Sequence, residues 1–225
     1  MTNVGLADGC PLCGSDKVYL FEEAWKDMFI RCEQCSLTFR DPERWPSPEV
    51  ERARYEQHEN DPADPRYRAF LGRLAGPVAE RTSRMGKSRP IIGLDFGCGS
   101  GPTLSSLLEE HGFEMFDYDP IFQPDRSALE RAYDIITASE VFEHLHAPWS
   151  VLQVLDDLLL PGGLLGVMTE MVDDHRDFSS WSYARDPTHV CFYHERTMHW
   201  IARRRGWSLE RPAVSVVMFL KPPKR

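Results

Sequence analysis

Residues Ile91–Gly101 read IIGLDFGCGSG. Ile91, Ile92, Leu94 and Phe96 supply the apolar side chains of a short buried strand. Gly97-Cys98-Gly99-Ser100-Gly101 then turns sharply into a helix whose start is marked by Pro102 and Thr103. Glycines in such a turn let a ligand approach the backbone closely, so the stretch reads as a ligand cradle. The glycines alone do not choose the ligand, because dinucleotide-binding loops also place glycines after their first strand.

Working outward, strands and helices alternate: IIGLDFG, TLSSLLEEHG, FEMFDYD, YDIITAS, WSVLQVLDDLLL and LLGVMTEM. Alternation of this kind predicts an α/β fold with a mainly parallel, helix-covered sheet. An irregular stretch, DDHRDFSSWSYARDPTHVCFY, follows, then a helix over Glu195–Arg205 and two last strands, WSLERP and VSVVMFLKP. The second strand of the series ends at Tyr118-Asp119-Pro120, about 20 residues after the glycine loop, where an acidic side chain accepts hydrogen bonds from ribose hydroxyls. Asp119 is assigned to that role, with Asp117 the competing residue.

The run D-F-G-C-G-S-G resembles the first motif of the class I S-adenosylmethionine-dependent methyltransferases, and Ser139-Glu140-Val141 with Phe142-Glu143-His144-Leu145 resembles that family's fourth-strand motif. The helix, Pro161-Gly162-Gly163 and apolar strand that follow keep the family's order. The resemblance covers residues 91 to 220 and implies a Rossmann-like methyltransferase sheet with S-adenosylmethionine as cofactor. It implies cofactor contacts from Asp95, Gly97, Cys98, Gly99 and Gly101 in the first motif and from Asp119 and Pro120 at the second strand. Ser139, Glu140, Val141 and His144 complete the set. Only about 15 residues separate Asp119 from the fourth strand, too few for another helix and strand, so the sheet is expected to lack its third strand.

Nearer the amino terminus, Cys10-Pro11-Leu12-Cys13 and Cys32-Glu33-Gln34-Cys35 each hold two residues inside the pair, with 18 between the pairs. This spacing suits a structural Zn2+ bound by Cys10, Cys13, Cys32 and Cys35, a closed site with no vacancy for substrate. It resembles a zinc ribbon, which expects a module over residues 1–45. Residues 46–90 form a helical linker: Ser47-Pro48-Glu49 starts one helix, and Asp64-Pro65 starts another that Gly76-Pro77 kinks or divides. Tyr55, His58, Asn60, Tyr67 and Arg68 give the linker the polar and aromatic density of a lid. The methyltransferase domain occupies 91–225.

Methyl transfer to a hydroxyl or carbon acid needs a proton acceptor beside the methyl group. Asp186-Pro187-Thr188-His189-Val190 follows the fifth-position strand, on the face where parallel sheets present ligand crevices, and offers His189 as general base with Tyr183 as a second catalytic residue. The segment is similar to one in sugar carbon-methyltransferases that carry cysteine zinc modules. Those enzymes place a glutamate where Thr188 stands here. Trp149, Trp181, Phe192 and Tyr193 are candidate walls for an aromatic acceptor.

A net charge of −9 argues against a nucleic acid partner and favours a small-molecule acceptor. RNA methylation, or a noncatalytic scaffold that uses the ribbon for partner recognition, are the rival readings. No apolar run reaches membrane-spanning length, and MTNVGLADG lacks the features of a secretory signal, so a cytoplasmic protein without membrane association is expected.

Overall fold

The structure, a computed structural model, describes residues 9–57, 60–86, 90–175 and 177–224. It opens with β1 (Val18–Ala24), β2 (Asp27–Cys32) and β3 (Thr38–Arg40). Helices α1 (Pro48–Tyr55) and α2 (Pro65–Ser83) follow. Ser47 caps α1 by accepting from the Val50 amide, and Asp64 caps α2 by accepting from the Arg66 amide at 2.8 Å. Gly76-Pro77 does not divide α2. Leu71, Leu74, Ala75 and Val78 bury one continuous stripe, which outweighs the hydrogen bond that proline removes.

The remaining elements are β4 (Ile92–Phe96), α3 (Thr103–Glu109), β5 (Glu114–Tyr118), β6 (Tyr133–Ser139), α4 (Pro148–Leu158), β7 (Leu159–Met168), β8 (Met171–Val172), β9 (Cys191–His194), α5 (Glu195–Arg205), β10 (Ser208–Ala213) and β11 (Val216–Leu220). Six strands form the main sheet in the order β10-β11-β7-β6-β4-β5. Pairings among β5, β4, β6 and β7 are parallel, and β11 and β10 extend the sheet antiparallel. Among the described residues no strand lies beyond β5, as the short segment after Asp119 predicts. That segment makes an Asp119–Gln123 bridge and a single helical turn over Arg126–Glu130.

Helices cover both faces of this sheet. Leu71, Leu74 and Val78 of α2 and Leu104 and Leu108 of α3 pack with Ile135, Leu164, Met168 and Val216. On the other face, Leu152 and Leu155 of α4 and Met198 and Ile201 of α5 pack with Ile136, Leu165, Val167 and Phe219. Strand β7 begins at Leu159 and runs through Pro161-Gly162-Gly163, with a register shift opposite Tyr133–Ile135 that absorbs the glycine pair.

A second sheet has the order β1-β2-β3-β9-β8. Strand β3 pairs antiparallel with β9, through Thr38–Phe192 and Phe39–Cys191. The amino-terminal sheet thus crosses residue 45 and incorporates the stretch read from sequence as irregular. Cys191, Phe192 and Tyr193 are fully buried there. No helix of the described residues is long and apolar enough to cross a membrane.

Candidate functional site

A cavity of about 650 Å³ opens at the carboxyl ends of β4, β5 and β6, a size suited to a cofactor-sized ligand. One end is floored by the glycine loop. Gly97 has φ of +78° and its amide donates to the Tyr118 carbonyl at 2.7 Å, so the loop is tied to the end of β5. A Cβ at Gly97 would collide with Val141, which fixes glycine there twice over. Gly99 has φ of +68°, and a Cβ on it would fall 2.5 Å from the Asn60 amide nitrogen. Asn60 also lies against Gly101, so the chain between α1 and α2 rests directly on the loop.

Asp119 sits at the same end. Its carboxylate accepts from the Ile121 amide at 2.8 Å, the Phe122 amide at 3.0 Å and the Gly99 amide at 3.2 Å. It therefore holds the second-strand turn and the glycine loop in one arrangement while lining the cavity. Asp117 does not line the cavity; it accepts from the Ser105 hydroxyl at 2.5 Å under α3. Cys98, Pro120, Ser139, Glu140, Val141 and His144 all line the cavity. Asp95 and Gly101 do not: Asp95 is buried beneath the loop and accepts from the Thr137 hydroxyl at 2.9 Å. Burial pushes its carboxyl up to about 7.

The other end gathers Tyr183, His189, His144, Glu140 and Asp186. His189 Nδ1 meets the Tyr183 carbonyl at 2.7 Å, and His144 Nδ1 meets the Thr188 carbonyl at 2.9 Å. A carbonyl only accepts, so both imidazoles carry the proton on Nδ1 and keep a lone pair on Nε2. Burial, reinforced by His144, pushes His189 down to about 3. Burial and then the neighbouring Glu143 push the Glu140 carboxyl up to about 9. Burial also raises Glu143, to about 7, and the nearby Tyr183 hydroxyl counteracts it. Glu143 Oε2 accepts from the Thr169 hydroxyl at 2.9 Å, whereas Oε1 has no donor in hydrogen-bonding geometry.

Two parts of the chain hold this end in place. Arg40 of β3 donates to the backbone carbonyls of Ala184 at 3.1 Å, Asp186 at 3.0 Å and His189 at 3.2 Å, and it pairs with Asp27. From α1, Arg54 donates to the Asp186 carboxylate at 2.7 and 3.0 Å. The Asp186 carboxylate in turn accepts from the Thr188 amide and hydroxyl, and these bonds to Arg54 and Thr188 bring it down although burial alone would raise it.

Of the linker residues, Tyr55, Asn60 and Tyr67 line the cavity, whereas Arg68 pairs with Glu110 on the surface and His58 lies outside the described residues. The aromatic candidates divide in the same way. Trp181 and Phe192 belong to a buried cluster with Phe29 and Phe178, Tyr193 packs on Phe142, and Trp149 packs on Trp200. Phe96, Tyr118 and Phe122, which sequence reasoning did not single out, line the cavity instead. Their signal was position: each lies next to the glycine loop or Asp119.

At the amino-terminal module, the four thiols of Cys10, Cys13, Cys32 and Cys35 lie within 4.8 Å of one another. The Cys10–Cys35 and Cys13–Cys32 sulfur pairs are each 3.5 Å apart. Tetrahedral zinc with thiolate bonds near 2.3 Å has sulfur–sulfur edges of about 3.8 Å, so the donor set fits that ion. The cofactor end also fits its expected group. None of the described residues lining the cavity is Lys or Arg, while Asp119 is present, a setting that suits a sulfonium and an ammonium. The buried Ser139 hydroxyl on its wall has no partner.

A mainly parallel sheet with its cavity at the strand carboxyl ends, a glycine loop after the first strand and an acidic residue closing the second make a Rossmann-like fold of the kind that class I methyltransferases have. Residues 66–211 match the family model described as a methyltransferase domain, and the chain belongs to that family. A ubiquinone biosynthesis O-methyltransferase from Ruegeria pomeroyi is 31% identical over 94 residues, 42% of this chain. The match spans only 37% of that relative. Among solved structures, the 1,6-didemethyltoxoflavin-N1-methyltransferase of Burkholderia thailandensis, with 1,6-didemethyltoxoflavin and S-adenosylhomocysteine bound, aligns with a TM-score of 0.52. It shares 14% identity, over 90% of this chain and 99% of that one. Magnesium protoporphyrin IX methyltransferase from Synechocystis PCC 6803, with S-adenosylhomocysteine bound, gives 0.51 at 14% identity, over 78% and 95% of the two chains. At these identities the structures speak for the fold.

Proposed function

We propose that this protein transfers a methyl group from S-adenosylmethionine to a small-molecule acceptor held between the glycine loop and His189. The observation that carries the reading is a single cavity with a loop-and-acid end and a separate end of histidine, tyrosine and glutamate. Gly97, Gly99 and Asp119 would hold the cofactor, with Asp119 positioned to accept from ribose hydroxyls and Ser139 offering its free hydroxyl. When bound, that cofactor supplies an electrophilic methyl group.

His189 is oriented by the Tyr183 carbonyl so that its Nε2 lone pair is available to take the acceptor's proton. Its low proton affinity keeps it neutral at physiological pH, so the lone pair is always present. Tyr183 and Glu140 supply polar contacts to the acceptor, and Tyr55 and Asn60 of the linker close the cavity against water. The acidic lining and the net charge of −9 disfavour a polyphosphate acceptor such as RNA. The ribbon, filled by one Zn2+, has the structural task of holding β3 and Arg40 against the acceptor loop.

The test is His189→Ala. Calorimetry with S-adenosylmethionine should give unchanged affinity, while release of S-adenosylhomocysteine in the presence of a cellular metabolite extract should fall to background. A wild-type protein that does not bind S-adenosylmethionine would overturn the reading.

A further inference from the structure

Three side chains at the acceptor end form an arrangement that proton transfer alone does not use. Glu143, His144 and His189 each present a ligand atom, and these atoms lie within 4.8 Å of one another. We infer that they form a divalent-cation site, distinct from the four-cysteine site, against which the acceptor binds. The inference rests on the small-molecule methyl-transfer reading for its acceptor, but not for the cation itself.

The supporting shell is what separates this cluster from a chance meeting of polar groups. Both imidazoles give their Nδ1 proton to a backbone carbonyl, of Thr188 and of Tyr183, which fixes each ring and leaves Nε2 as the donor atom. The Glu143 carboxylate is oriented through Oε2 by the Thr169 hydroxyl. Its other oxygen, on a residue with no exposed surface, has no hydrogen-bonding partner. A buried carboxylate oxygen without a donor is costly, and a cation is the partner that would satisfy it.

Two imidazoles and one carboxylate favour Mn2+, Fe2+, Co2+, Ni2+ or Zn2+ over Mg2+ or Ca2+. Three protein ligands leave positions open, and the cavity lies on the side of His144 and His189. An acceptor oxygen bound there would lose its proton more readily because of the cation's charge. In that state His189 would act through the cation instead of taking the proton itself, and the acceptor's proton would pass to solvent water as the methyl group leaves the sulfonium for the acceptor oxygen. The acceptors that fit are therefore small molecules bearing an oxygen able to ligate a metal.

Manganese separates the two metal sites, because it prefers nitrogen and oxygen donors and competes poorly for four thiolates. Zinc-loaded protein of residues 1–225 would be titrated with MnCl2 and free Mn2+ read by electron paramagnetic resonance. The expected result is one bound Mn2+ per chain. His144→Gln and His189→Gln should each weaken it at least ~10-fold, and Thr169→Val, which leaves the ligands in place, should weaken it by about 10-fold. Binding of S-adenosylmethionine and the unfolding temperature, measured on the same samples, show that each variant is folded. Absence of bound Mn2+ in the wild type, or equal binding by the folded variants, would overturn the site. If Mn2+ binds as expected but S-adenosylmethionine does not, the methyl-transfer reading fails and the cation site stands.

Discussion

Arg40 Nη2 donates to the backbone carbonyl of Asp186 at 3.0 Å, joining a strand of the cysteine-bearing module to the loop that carries His189. The same guanidinium bonds the Ala184 and His189 carbonyls, so one buried side chain sets the path of six residues. Replacing it with methionine keeps the volume and removes every donor. Arg40→Met should lower stability by about 3 kcal/mol, since buried carbonyls and Asp27 lose their partner. Hydrogen exchange should show lost protection over residues 184–190 with the glycine loop unchanged. Unaltered exchange there would mean that Arg40 does not position the loop.

The pairing of β3 with β9 would carry the consequence of losing a metal from the four-cysteine site to the same place. Leu12, Ile30, Leu37 and Phe39 tie the module to the core, and an ion held by the four cysteines would clamp its two cysteine-bearing turns together. Purified protein should contain one zinc per chain by elemental mass spectrometry, and Cys35→Ser should abolish it. The variant should unfold at lower temperature and lose methyl transfer more than cofactor affinity. A metal-free wild type of undiminished stability would dismiss the structural zinc.

At the opposite end of the cavity the loop has no tolerance for a side chain. Gly97 has a left-handed backbone, and a methyl group on it would strike Val141. Gly97→Ala should therefore weaken S-adenosylmethionine binding at least ~10-fold, with a stability loss of about 1–3 kcal/mol. Asp119→Ala should also weaken binding, by removing both the proposed ribose acceptor and the bonds that tie Gly99 to the second-strand turn. Normal affinity in both variants, measured by calorimetry, would relocate the cofactor site.

The legible parts of this chain were those governed by local pattern. The strand Ile92–Phe96, the cap at Asp64 and the helix Glu195–Arg205 follow from apolar period and end signals within one segment. The short run after Asp119 foretold that no strand lies beyond β5 among the described residues. Less visible was β9, because its partner β3 lies some 150 residues earlier and neither strand is long enough to announce itself. Arg40 was invisible for the same reason: it bonds three carbonyls of the Ala184–His189 loop, and backbone acceptors leave no mark on sequence. His189 and Tyr183 stood out by residue type, but the fixed Nδ1 proton that gives His189 its free lone pair needed the fold. Asp95 stands in the motif yet lies below the cavity, since neighbouring residues on a strand face opposite ways.

That buried position makes Asp95 a source of pH-dependent stability. Burial lifts its folded-state value to about 7, above the usual 3.8 of the unfolded chain, against the lowering effect of the Thr137 hydroxyl. Between those two values the folded protein holds a proton that the unfolded chain has released, so this group's contribution falls as pH rises through the window. Asp95→Asn keeps the shape and cannot ionise. Its stability relative to wild type should therefore increase by about 3 kcal/mol between roughly pH 5 and roughly pH 8. Urea unfolding of both proteins at the two pH values measures the gap. A gap that stays constant would mean that Asp95 remains ionised in the fold, compensated by a partner other than Thr137.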